Sequence, residues 1–180
     1  VNFVRLTREQ TDGCNQPDFP RKAGDDMSQG AIGISLEAKS PFELRVHLGD
    51  GIPESDVRTA LATGDMGLLH SFTTGSTVDG PGVRIVGWTT GCQYRCRYCH
   101  NPDKWTMSNG IPVTLARATK ELRKYRHGLK IMFGEFTLSG GEPLMQDRFA
   151  IKLFTAAKAI GVHTALDTNG SLGGRLSDAE

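Results

Sequence analysis

The chain has 180 residues, 38% of them apolar, with 21 Lys and Arg against 20 Asp and Glu for a formal net charge of +1. That length and apolar fraction suffice for one packed domain, and the near-neutral balance gives no electrostatic reason to expect nucleic acid or an anionic membrane surface as partner. No apolar run approaches the roughly 20 residues of a membrane helix, and Arg5, Arg8 and Glu9 interrupt any signal-peptide core, so no membrane partner and a cytoplasmic location are expected.

Residues 1–30 mix Asp, Gly, Gln, Pro and Lys without a sustained period and offer little apolar surface to offset ordering entropy, so they read as loosely attached. Within 31–48, Ile32, Ile34 and Leu36, then Phe42, Leu44, Val46 and Leu48, alternate with other residues; a small hairpin turning at Lys39-Ser40-Pro41 is predicted. Residues 53–62 predict a short linker helix capped by Ser55, with Val57, Ala60 and Leu61 on its apolar side and Gly64 at its end. Residues 1–66 thus read as an N-terminal extension and 67–180 as the catalytic body.

In that body, 68–72 and 83–88 read as strands around the glycine-rich stretch 75–82. Residues 114–125 predict a helix with Leu115, Ala118, Leu122 and Tyr125 on one face, 136–138 a strand, 149–160 a helix and 162–167 a strand. Strands alternating with helices imply an α/β fold whose parallel sheet is joined by right-handed crossovers. About three βα units are visible, fewer than a closed barrel needs, so an open sheet edge and poor stability are expected. Val1 in place of Met, and a helix start at Ser177-Asp178-Ala179, read as cut ends.

Four cysteines stand at 14, 92, 96 and 99, and the last three form C-x3-C-x2-C directly after the strand that ends near Thr90. Such crowding is unsuited to a disulfide framework and points to metal ligation. Three thiolates on a cubane leave one iron open to substrate, which suits catalysis; a Cys3His zinc site using the adjacent His100 is the other reading. Cys14 and the scattered Met27, Met66, Met107, Met132 and Met145 suggest no ligand set, and Lys120, Arg123, Lys124 and Arg126 read as a solvated helix face.

Four segments occur in order: Gly75-Ser-Thr-Val-Asp-Gly-Pro-Gly-Val-Arg84, Thr90-Gly-Cys-Gln-Tyr-Arg-Cys-Arg-Tyr-Cys-His-Asn-Pro102, Ser139-Gly-Gly-Glu-Pro143 and Leu166-Asp-Thr-Asn-Gly170. Over 67–170 the chain resembles the pyruvate formate-lyase activating enzymes, glycyl-radical enzyme activases of the radical SAM superfamily, and covers roughly the N-terminal half of their domain. The resemblance implies a partial (βα)6-type barrel in which Cys92, Cys96 and Cys99 hold a [4Fe-4S] cluster and S-adenosylmethionine chelates its open iron. Reductive cleavage would then give a 5′-deoxyadenosyl radical that takes hydrogen from a backbone glycine of pyruvate formate-lyase.

By the same resemblance Tyr98, Cys99, His100, Asn101, Gly140, Gly141 and Glu142 surround the cofactor, with Glu142 suited by charge to its ammonium. Asp167 and Thr168 would contribute to a monovalent cation site, Asp79 and Arg84 would face the partner's glycine loop, and a flavodoxin is the implied reductant. Residue-level alternatives are an Asx turn for Asp79, plain packing for Tyr98 and a simple loop role for His100. Activases for other glycyl-radical enzymes often carry further cysteines, and none follows Cys99 here. Whole-protein alternatives are a radical SAM enzyme acting on a small molecule and a structural zinc module.

Overall fold

The computed structural model describes residues 2–3, 54–132 and 134–177. In chain order these form β1 (Asn2–Phe3), α1 (Glu54–Thr63), β2 (Met66–Ser76), β3 (Arg84–Thr89), β4 (Ile111–Thr114), α2 (Leu115–Ile131), β5 (Phe136–Gly140), α3 (Asp147–Ala159) and β6 (Thr164–Leu166). The hairpin expected within 31–48 lies outside the described residues.

The α/β expectation holds, but the sheet is mixed. Its order is β1-β6-β5-β3-β2-β4. Strands β3, β5 and β6 run parallel, with α2 and α3 in the connections between them, whereas β2 is antiparallel to both β3 and β4. The connection 77–83 is too short for a parallel crossover, so β2 and β3 must run in opposite directions. Strand β4 has only four residues, and its Pro112 hides it from a propensity reading; at the outer edge of the sheet a missing N–H does no harm. The edge expected to stay open beyond β6 carries Asn2–Phe3, paired with Ala165 and Leu166.

Phe136 and Leu138 on β5 are fully buried on the same side as Phe149, Leu153 and Phe154 of α3 and Leu122 and Leu129 of α2. The Phe136 and Phe154 rings meet edge to face at 6.2 Å. Burial of each such side chain contributes about 1.5–3 kcal/mol. Thr114 caps α2 by accepting from the Arg117 N–H at 3.2 Å, and the helix runs six residues past the predicted Tyr125. Its buried stripe is Ala118, Leu122 and Leu129; Tyr125, expected on that stripe, is 44% exposed.

Ser55, expected as the cap of α1, falls inside the helix's first turn. The other end behaves as predicted. Gly64 takes φ +78°, and a Cβ there would lie 2.6 Å from the Arg148 backbone, so only glycine lets α1 turn onto α3. The Arg148 guanidinium donates to the Ala62 carbonyl at 2.8 Å, tying the two helices. Among the described residues no helix is long and apolar enough to cross a membrane.

Candidate functional site

Parallel strands deliver their following loops to one edge, and β3, β5 and β6 do this with three of the four recognised segments. The cysteine loop follows β3, Ser139-Gly140-Gly141-Glu142 ends β5, and Asp167-Thr168-Asn169-Gly170 follows β6. The loops are stitched together by backbone hydrogen bonds. Gly141 N–H donates to the Thr89 carbonyl at 3.0 Å, Glu142 N–H to Gly91 at 2.7 Å, and Asp167 N–H to Leu138 at 2.9 Å.

Gly140 and Gly141 each let a neighbouring stretch of backbone come unusually close. A Cβ on Gly140, whose φ is +128°, would lie 2.2 Å from the Thr89 carbonyl oxygen, and one on Gly141 2.3 Å from that of Gly91. Gly91 is in turn bracketed by sulfur: a Cβ there would meet Met107 Sδ at 2.1 Å and Met145 Sδ at 3.5 Å. These two methionines, far apart in sequence, meet beside Cys92.

Cys92, Cys96 and Cys99 are half-buried and free of disulfides. The N–H of Cys92 donates to Trp105 at 3.0 Å and that of Cys99 to Cys96 at 3.1 Å, the latter closing a tight turn. Burial pushes the Cys92 thiol above its usual range, opposed by a hydrogen bond from the Tyr94 backbone, and the Cys99 thiol is near enough to add to the rise. Among the described residues no three His, Cys, Asp or Glu side chains already converge as a metal cage. The donor chemistry nevertheless fits an iron-sulfur cluster, because three thiols share eight residues of one loop anchored by backbone hydrogen bonds.

Glu142 is completely buried. Its Oε1 accepts from the Leu144 N–H at 2.9 Å and the Thr168 hydroxyl at 2.7 Å, and its Oε2 from the Asn169 N–H at 2.8 Å. The carboxylate thus joins the β5 and β6 loops. Asp167 Oδ2 accepts from Ser139 Oγ at 2.6 Å. Asn169 Oδ1 accepts from both the backbone and hydroxyl of Ser171, while its buried Nδ2 has no hydrogen-bond partner among the described residues, a donor suited to a ligand oxygen at this edge.

Tyr98 is 63% exposed, and His100 is exposed close by in the same loop. Asn101 instead turns inward, its Oδ1 accepting from Lys104 Nζ at 2.9 Å.

Asp79 and Arg84 meet different fates. Asp79 is half-buried; its carboxylate accepts from the Ser76 hydroxyl and not from its own backbone, and its carbonyl accepts from Thr137 Oγ1 at 2.9 Å. Arg84 was expected to face a partner but has no exposed surface. Its guanidinium donates to Glu135 Oε2 at 2.6 Å, the Pro81 carbonyl at 2.9 Å and Thr137 Oγ1, so it fastens the 77–83 loop from inside. His163 Nδ1 joins the same Glu135 oxygen at 2.9 Å. A cavity of about 510 Å³ lies between that loop and β5–β6, reached by Asp79, Thr137, His163, Asp167 and Thr168.

Sequence reading missed Lys104, Glu135 and Gln146. Gln146 clamps the opening of the sheet, its Oε1 accepting from Leu68 N–H at 2.6 Å while its Nε2 donates to the carbonyls of Leu68 and Thr90. No periodicity marks an amide that copies a strand's hydrogen bonds across 78 residues.

Residues 78–179 match the family described as the 4Fe-4S single cluster domain. The chain belongs to that family. Over 105 residues the chain is 46% identical to the pyruvate formate-lyase 1-activating enzyme of Escherichia coli (strain K12), covering 58% of this chain and 43% of that protein. The pyruvate formate-lyase-activating enzymes of Listeria monocytogenes (strain EGD-e) and Clostridium pasteurianum are 44% and 43% identical over the same length, covering 58% of this chain and 42% and 44% of those proteins. The resemblance drawn from the four segments is therefore borne out. The chain spans less than half the length of these relatives.

Proposed function

We propose that this chain carries the cluster-binding part of an activating enzyme that introduces a glycyl radical into pyruvate formate-lyase by reductive cleavage of S-adenosylmethionine. The observation that carries the reading is the convergence of the three-thiol loop, the Gly140-Gly141-Glu142 loop and the 167–170 loop at one edge of three parallel strands. Membership in a 4Fe-4S family favours iron-sulfur over zinc, and relatives named for formate-lyase activation favour that partner over a small molecule. In this reading residues 67–180 belong to a (βα)6-type radical SAM barrel and 1–66 form an extension.

The Cys92, Cys96 and Cys99 thiolates would hold a [4Fe-4S] cluster, which would supply the one electron that reductive cleavage of S-adenosylmethionine requires. The remaining residues orient and enclose. Backbone groups of Gly140 and Gly141, the exposed ring of Tyr98, His100 and the orphan Asn169 Nδ2 offer contacts for the cofactor. Glu142 and Asn101 act one step back, because their oxygens are engaged by Thr168, Asn169 and Lys104. Asp167 and Thr168 present oxygens suited to a monovalent cation. Asp79, at the mouth of the cavity, is the residue of this loop best placed to meet the partner's glycine segment, with Arg84 holding the loop rigid. A flavodoxin as reductant and a cytoplasmic setting complete the proposal.

The test is anaerobic reconstitution with iron and sulfide, dithionite reduction and chromatography for 5′-deoxyadenosine after addition of S-adenosylmethionine, followed by glycyl-radical EPR with pyruvate formate-lyase. Product formation that Cys96→Ala abolishes supports the reading. Bound zinc without cofactor cleavage overturns it.

A further inference from the structure

Lys104 closes the short turn Pro102–Lys104, five positions after Cys99, and is only 6% exposed. A buried ammonium costs several kcal/mol unless its surroundings compensate. Among the described residues its Nζ donates to the neutral amide oxygen of Asn101 at 2.9 Å and sits 4.8 Å from the centroid of the Trp88 ring. The carboxylate beside it, Asp103, is 3.7 Å away, about half exposed, and shared with His70 Nε2 at 3.1 Å. An amide, a ring face and one half-exposed carboxylate shared with His70 are what the described residues offer this buried ammonium.

The backbone of Lys104 is fixed at the base of the cysteine loop. Its carbonyl accepts from Gly91 N–H at 2.9 Å, next to Cys92, and its own N–H donates to the Asn101 carbonyl at 3.0 Å. Gly91 and Asn101 bracket the three cysteines, so these bonds anchor Lys104 to both ends of the cysteine loop, and the Nζ–Asn101 contact brings the ammonium to the residue two positions after Cys99.

We propose that Lys104 is a built-in counter-charge for the cluster: a positioning residue that holds the loop base through Asn101 and raises the reduction potential of the iron-sulfur centre. This rests on the proposed ligation by Cys92, Cys96 and Cys99. Reduction adds negative charge to the thiolate-ligated centre, and a fixed cation in a water-poor site favours the reduced form. Exposed Arg97, between two of the cysteines, is screened by solvent and has a weaker effect.

The test is a spectroelectrochemical titration of the anaerobically reconstituted full chain, with Lys104→Met, Lys104→Gln, Lys104→Arg and the exposed Lys120→Met as surface control. The neutral replacements should keep wild-type iron and sulfide content and show a more negative midpoint. At fixed potential the ratio of reduced to oxidised cluster should fall about tenfold, equal to about 59 mV for a one-electron couple. Lys104→Arg and Lys120→Met should stay at the wild-type midpoint. Loss of the cluster in both neutral variants with retention in Lys104→Arg would make Lys104 an anchor of the loop alone and overturns the counter-charge. Fully loaded neutral variants at the wild-type midpoint overturn the proposal, as does an arginine variant displaced as far as the methionine one. A wild-type chain that takes up no cluster overturns the ligation reading itself, and this proposal with it.

Discussion

Glu142 has no exposed surface, yet its carboxylate accepts two backbone N–H groups and a hydroxyl from residues as far away as Asn169. A carboxylate so enclosed is a structural knot before it is a ligand. Truncation in Glu142→Ala orphans three donors at about 1–3 kcal/mol for each buried one left unpaired. The expected loss of stability is on the order of 3 kcal/mol or more, read as a lower urea midpoint of the cluster-free chain, with Glu142→Gln recovering part of it. An unchanged midpoint for Glu142→Ala combined with lost S-adenosylmethionine binding would instead give the carboxylate the direct contact that its charge suggests. Sequence alone favoured that contact because a motif names a residue type and not its hydrogen-bond partners, which here lie 26 and 27 positions downstream. Arg84 follows the same logic: its acceptor Glu135 is 51 residues away, so its burial is invisible in a linear reading.

At the level of elements, β5 shows what was legible and what was not. Alternation of Phe136 and Leu138 with Thr137 and Ser139 announces a strand, and all four are buried, one pair against the helices and the other on the opposite face. The long periodic helices were readable for the same reason. Strand β4 was not, being four residues around a proline, and neither was the antiparallel pairing of β2, which depends on partners rather than pattern. Gly140 lies where these strands meet the site. With φ +128° and 2.2 Å between a built Cβ and the Thr89 carbonyl oxygen, alanine there must push β5 away from β3. We expect Gly140→Ala to be largely insoluble or to lose most of its near-ultraviolet circular dichroism. Gly173→Ala, whose added carbon meets nothing within 4 Å, should match wild type. Equal behaviour of the two variants would mean that the β3–β5 contact tolerates rearrangement.

Taken as a whole, the molecule joins its cysteine loop to the two neighbouring loops of the same sheet edge through hydrogen bonds. A cluster held by Cys92, Cys96 and Cys99 would bear on the adjacent Gly91, whose carbonyl holds the Glu142 N–H, and Glu142 in turn holds Thr168 and Asn169. Cluster binding stabilises the native state relative to the unfolded one, and this chain of hydrogen bonds distributes the effect along the carboxyl edge of the sheet. Hydrogen exchange of the reconstituted chain, compared with the cluster-free chain, should therefore show new protection at 90–101, 139–145 and 167–171. Strand β4, which pairs with β2 at the outer edge of the sheet, should change little. In Glu142→Gln the protection should persist at 90–101 and weaken at 167–171, because the first group depends on the thiolates and the second on the carboxylate. Protection confined to the cysteine loop in the wild-type chain would mean that the three loops bind their ligands independently, and the knot at Glu142 would then be a matter of folding alone.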